Sequence, residues 1–241
     1  MICENAIGLD HSSPDWDHIY RYLRPDKTWK AFCGDYSNFD QRMGAQLLEE
    51  AWKLIIVICL SSVKYPKEVF RLLVGLTMEC IYICVNYFGD FLIISGTNPS
   101  GHALTVVINS IVNSIYIRLA WLAIFSDLDD FDEHVRLIVY GDDNVVSVHP
   151  RFQRQFNLVT VSNALAMFGV VYGDAAKTGI LKEFNSWDEI TFLKRYFVED
   201  AELGCILAPI ELASVHKMLI IGVDNKKVCS EERLEIGRAH V

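Results

Sequence analysis

No two of the chain's seven cysteines (Cys3, Cys33, Cys59, Cys80, Cys84, Cys205, Cys229) have C-x-x-C spacing. Cys80 and Cys84 stand four apart, but no histidine close in sequence completes a zinc set. A metal-thiolate site is therefore not expected, and reduced, mostly buried thiols in a cytosolic setting are. The first eight residues lack the basic-then-apolar layout of a signal peptide. Residues 91–117 form the longest stretch without a formal charge, yet it holds Ser95, Asn98, Pro99, Ser100, Asn109, Asn113 and Ser114. So many polar groups argue against a membrane span, and a soluble chain is expected.

Positive charge is scarce too. The 22 Lys and Arg are outnumbered by 31 Asp and Glu, for a net charge of −9. From Leu72 to Pro150 only Arg118 and Arg136 are basic. A basic nucleic-acid coat is thus excluded as a description of the whole chain, although nine basic residues after Asp174 leave room for a phosphate-contacting face. With 51% hydrophobic residues in 241, there is enough apolar material for one large core, which excludes intrinsic disorder and a small disulfide scaffold.

Periodicity and turn signals give an α+β order. Residues 29–35 read as a strand, 41–60 as a helix, 66–80 as a second helix and 81–94 as a hairpin around Gly89-Asp90. A long helix is expected over 102–125 with Ser100 as its N-cap. Residues 135–140 and 144–148 form a second hairpin, 151–167 a helix, Val170 a strand, and 192–207 a last hairpin. The expected fold is an antiparallel sheet with helices on one face.

Two features carry chemistry. Asp35 and Asp40, in Asp-Tyr-Ser-Asn-Phe-Asp, stand where a strand leaves for a helix. Taken alone, this common spacing reads by default as two solvated turn carboxylates. Asp142 and Asp143, in Tyr-Gly-Asp-Asp, sit at the tip of an apolar hairpin. Adjacent aspartates at a tight turn repel, so either full solvation or a hard divalent cation such as Mg²⁺ must compensate.

These motifs, with Pro-Ser-Gly-x3-Thr-x3-Asn-Ser (99–110), Lys177 and Phe-Leu-Lys-Arg (192–195), resemble in order the five palm motifs of viral RNA-dependent RNA polymerases of the positive-strand, picornavirus-like kind. The resemblance covers roughly residues 30–209. It implies a polymerase palm, an antiparallel sheet backed by helices, spanning 30–209 with a fingers insertion at about 61–95. Residues 1–29 would be partial fingers or linker, and 210–235 the start of a truncated thumb. The family's basic fingers motif is expected to be missing, since only 34 residues precede Asp35.

The implied activity is template-directed RNA synthesis, with nucleotidyl transfer from NTPs to an RNA 3′ end by two Mg²⁺ ions, for which Mn²⁺ can substitute. Asp35, Asp142 and Asp143 are the implied metal and catalytic residues, and Lys177 the implied partner of the leaving pyrophosphate. Asp40, Ser100, Thr105 and Asn109 would select ribose, with Gly101 flexing the entry loop. Lys194 and Arg195 would grip primer RNA, one facing phosphate and the other turned away.

Implied partners are RNA template and primer, NTPs and other viral replication proteins after release from a polyprotein, at replication complexes in the host cytoplasm. A reverse-transcriptase palm is the alternative enzyme, disfavoured by Asp40 and Gly141. An inactive polymerase fragment is the non-catalytic alternative. Residues 236–241 (Ile-Gly-Arg-Ala-His-Val) match a translated sequencing adapter and are expected to be non-native.

Overall fold

The computed structural model describes residues 4–61, 67–174 and 181–220. Lys177, most of the expected thumb and the 236–241 tail lie outside the described residues. Chain order is α1 (Asp15–Leu23), β1 (Lys30–Tyr36), α2 (Ala45–Ser61), α3 (Phe70–Ile81), β2 (Tyr82–Tyr87), β3 (Asp90–Ser95) and α4 (Thr105–Phe125). Then come α5 (Phe131–His134), β4 (Val135–Tyr140), β5 (Asp143–Val148), α6 (Leu158–Ala166) and β6 (Tyr172–Asp174). Two short hairpins, β7 (Thr191–Phe192) with β8 (Arg195–Tyr196) and β9 (Val198–Asp200) with β10 (Cys205–Leu207), precede α7 (Leu212–Ile220). The α+β class with antiparallel pairing is as expected.

The central sheet has the order β4-β5-β1-β6, every pair antiparallel. Most residues of β4 and β5 are buried, on both faces of the sheet, the pattern of strands covered on both sides. On one face, α2, α4 and α6 pack over Phe32, Leu137, Val139 and Val146, with Trp121 surrounded by Phe125, Phe131, Phe152 and Phe156. On the other, Trp16, Ile19 and Leu23 of α1 meet Ala31, Cys33, Ile138 and Val145 together with Phe192 and Phe197. Helices on one face alone is therefore corrected: α1 and the C-terminal hairpins close the second. Glu4 bonds Arg118 at 2.6 Å, and residues 4–6 run along β4 through the Ala6 N–H to Val139 carbonyl bond.

Several boundaries differ for physical reasons. The long helix begins at Thr105, not at a Ser100 cap. Ser100 stays in an exposed turn, and the Thr105 hydroxyl donates to the Pro99 carbonyl at 2.7 Å, closing that turn instead. α6 begins at Leu158 rather than residue 151, because Asn157 and Thr160 form a reciprocal capping box. The hairpin over 192–207 is two hairpins, since Leu193 and Lys194 both take positive φ (52° and 61°) and turn the chain within two residues. Of the five described cysteines only Cys33 is buried, so mostly buried thiols is corrected as well. α4 is long and apolar enough to cross a membrane by length and composition. Here half of it is buried, and Asn109, Ser110 and Asn113 all lie in the interior.

Candidate active site

The carboxylates are brought together by strand register. β1 pairs with β5 through Gly34 opposite Asn144 and with β6 through Gly34 opposite Asp174. The next residue along β1, Asp35, therefore heads toward the β4–β5 turn that carries Asp142 and Asp143. Asp35, Asp142 and Asp143 line one cavity of about 530 Å³, together with Asp174, Lys182 and Lys194. Gly34 is obligatory in this geometry: a Cβ there would stand 2.0 Å from the Tyr172 ring, which crosses directly over it.

The Gly141-Asp142 turn joins β4 to β5 in two residues, with positive φ (61°) at Gly141 alone. That is the pattern of a II′ hairpin, which calls for glycine at its first position. Asp142 is held at the tip. Its carboxyl is pushed above the ordinary aspartate range by burial, and by the charges of Asp40 and Asp35. Burial pushes Asp143 up to about 6, with Asp142 adding repulsion. The Leu193 N–H, which donates to its Oδ2 at 2.7 Å, and Lys194 pull the other way. Partly shielded, mutually repelling carboxylates offer a hard oxygen donor set that a divalent cation would neutralise. Among the described residues, no three His, Cys, Asp or Glu side chains stand close enough together to form a ready-made cage. Mg²⁺ at a nucleotide site does not need one, since it takes one or two carboxylates and fills its octahedron with phosphate oxygens and water.

Asp40 lies in the short 3-10 turn after β1, and its Oδ1 accepts from the Asn109 amide at 2.6 Å. Asn109 in turn accepts from Asn98 at 2.6 Å, and the Asn98 backbone N–H donates to the Asp40 carbonyl at 2.9 Å. Asn98, 5% exposed, thus closes a polar ring that the sequence reading did not include. Nothing beyond its place in the Asn-Pro-Ser-Gly turn marks it out. Ser100 and Gly101 are exposed in that turn, and among the described residues no hydrogen bond links the Ser100 side chain to Asp40 or Asn109. The Thr105 hydroxyl is occupied by the Pro99 and His102 carbonyls.

The two cations of the Phe-Leu-Lys-Arg hairpin part company. Lys194 is exposed and lines the carboxylate cavity. Arg195 turns away, its Nη1 donating to the Ala208 carbonyl at 2.7 Å. Trp16 braces this hairpin from α1 by stacking on Phe197 at 4.7 Å and donating its indole N–H to the Tyr196 carbonyl.

Known proteins resemble this chain in sequence and in fold. The family model of the viral RNA-dependent RNA polymerases matches residues 1–210. The replicase polyprotein of Drosophila C virus is 30% identical over 90% of the chain, which covers 13% of that polyprotein. The RNA1 polyprotein of Satsuma dwarf virus is 33% identical over 89% of the chain, which covers 10% of it. A solved Sicinivirus 3Dpol RNA-dependent RNA polymerase superimposes with a TM-score of 0.70 at 21% identity, over 90% of this chain and 43% of the solved one. The chain thus spans about a tenth of its polyprotein relatives and under half of that polymerase. It belongs to the viral RNA-dependent RNA polymerases, on the picornavirus-like side of that family.

Proposed function

We propose that this chain is the catalytic palm of an enzyme that copies RNA by joining NTPs to an RNA 3′ end. The observation that carries the reading is the convergence of Asp35, Asp142 and Asp143 on one cavity that Lys194 also lines. Asp35 and Asp142 hold Mg²⁺ in this reading, and Asp143 assists from behind, fixed by the Leu193 N–H. When bound, two such ions stabilise the attacking and leaving oxygens of an in-line displacement. The 3′-hydroxyl gives its proton to solvent water as its oxygen forms the bond to the α-phosphorus and the bond to pyrophosphate breaks. Lys177 is the proposed cation for that leaving group.

Asp40 and Asn109 supply an acceptor and an amide beside the carboxylates, a pairing suited to a 2′-hydroxyl, which both donates and accepts. Retention of this polar pair supports ribose over deoxyribose, and so RNA rather than reverse-transcriptase chemistry. Ser100 and Thr105 complete the proposed ribose-selecting set from the entry turn that Gly101 shares, whose base the Thr105 hydroxyl fixes through the Pro99 carbonyl. Lys194 contacts primer phosphate, while Arg195 stiffens the hairpin. Residues 61–95 are the proposed fingers insertion and 210–235 the start of a thumb. Release from a polyprotein and work beside other replication proteins in the host cytoplasm belong to the same reading.

The isolated 241 residues are proposed to bind Mg²⁺ weakly and to extend primers poorly, because they correspond to 43% of the solved polymerase. The test is incorporation of labelled NTPs by a polymerase-length chain carrying this sequence. Addition that follows the template base and requires the RNA primer supports the reading. Addition indifferent to template contradicts it.

A further inference from the structure

Beneath the Asp142 turn runs a buried set of hydrogen bonds that the chemistry above does not use. Ser110 of α4 accepts the Gly141 N–H at 2.8 Å while its own hydroxyl donates to the Val106 carbonyl at 2.7 Å. One turn further along α4, the Asn113 amide donates to the Gly141 carbonyl at 3.0 Å and lies 3.3 Å from the Asp143 carbonyl. Its Oδ1 accepts from the Tyr36 hydroxyl at 3.0 Å and from the Asn144 amide at 3.2 Å. Asn144 then accepts from the Tyr172 hydroxyl at 2.7 Å. Ser110 is 1% exposed, and Asn113 and Asn144 are fully buried.

Core polar groups need partners, and many networks do no more than satisfy themselves. This one differs in where its bonds end. Both backbone groups of Gly141 and the carbonyl of Asp143 are held from a single helix, so the 140–141, 141–142 and 143–144 peptides are fixed to α4, while the Asp142 carbonyl is reached by the Asn144 amide at 3.4 Å. The same helix presents Asn109 to Asp40 one residue before Ser110.

We infer that Ser110 and Asn113 are positioning residues that clamp the Asp142 turn to α4 and so set the carboxylate geometry at the reacting centre. The inference rests on the polymerase reading above. Its physical basis is that a turn free to shift by a fraction of an ångström loses reactivity more than substrate affinity, since the transition state tolerates misplacement of its ligands less than the bound substrate does.

The test compares Ser110→Ala, Ser110→Thr, Asn113→Asp and Asp142→Asn in a polymerase-length chain, with rates of single-nucleotide addition normalised to titrated active sites. Ser110→Ala deletes the acceptor for Gly141 at little cost in volume. Asn113→Asp keeps both accepted bonds and deletes both donated ones. Each is expected to lower kcat by about tenfold or more with KM for the NTP within about twofold, and Ser110→Thr to restore most of the rate. Hydrogen exchange read on a peptide covering Gly141 is expected to accelerate in Ser110→Ala by a similar factor, with peptides from β1 unchanged. Should Ser110→Ala fail to fold, Asn113→Asp decides.

A kcat per active site that stays within twofold, while Asp142→Asn is inactive, overturns the clamp and leaves the polymerase reading standing. Retained activity in Asp142→Asn overturns both.

Discussion

Asn109 donates its side-chain amide to the Asp40 carboxylate across 2.6 Å, joining the middle of the chain to the turn that follows its first strand. The two residues are 69 apart in sequence, and Asp40 stands near enough to Asp142 for its charge to help raise that carboxyl.

If this pair reads the sugar, breaking it changes selection more than speed. Asn109→Ala is expected to lower the preference for NTP over dNTP by about tenfold, with a smaller effect on the NTP rate itself. The ratio of kcat/KM values for a matched NTP and dNTP measures this, and an unchanged ratio contradicts it.

Gly34 and Tyr172 form a second linked pair, since the tyrosine ring occupies the space a Cβ would need. Gly34→Ala is expected to destabilise the fold by about 1–3 kcal/mol through overpacking. Tyr172→Phe should cost about 1–3 kcal/mol, because it leaves Asn144 Oδ1 buried without its donor. Urea unfolding measures both, and the double variant should be less destabilised than the sum of the two.

Asp143 makes the apo chain pH-sensitive. Its folded pKa, raised to about 6 from the ordinary 3.8, means that the folded state holds the proton more tightly than the unfolded state. The resulting penalty is absent below about pH 4, grows as pH rises through 6, and reaches about 3 kcal/mol at neutral pH. Asp143→Asn, which keeps an acceptor for Leu193, should therefore be more stable than the parent at pH 7.5 and equal to it at pH 4. Thermal midpoints across that range decide, and a difference that does not vary with pH contradicts the assignment.

Lys194 and Arg195 should respond differently. Lys194→Ala is expected to weaken RNA binding across sequences and lower the salt slope of log Kd by about one, the mark of one lost phosphate contact. Arg195→Ala should instead lower stability, since its guanidinium serves the Ala208 carbonyl. Binding titrations at several salt concentrations separate the two.

What the sequence made legible was local. Asp35 and Asp40 lie in one hexapeptide, and Asp142 and Asp143 in one turn, so motif wording was enough to single them out. The helix α4 and the β4–β5 hairpin were readable from long apolar runs. α1 was not expected, although Trp16, Ile19 and Leu23 have helical spacing: the segment is nine residues long, and its partners Phe192 and Phe197 come some 180 residues later. Phe152 and Phe156 imitated helix periodicity ahead of the true start at the Asn157 cap. Ser110, Asn113 and Asn98 carry no readable role in the sequence for one shared reason. A mid-helix or turn amide looks like any other until the residue facing it is known, and Gly141 lies 28 positions beyond Asn113.

The most direct measurement is the rate of single-nucleotide addition by Asp142→Asn against the parent, in a polymerase-length chain with saturating primer-template and Mg²⁺. Loss of the hard anionic ligand at an unchanged side-chain volume is expected to lower the rate by about a hundredfold or more while the protein stays folded. A rate within twofold of the parent would show that the carboxylate cavity is not the reacting centre.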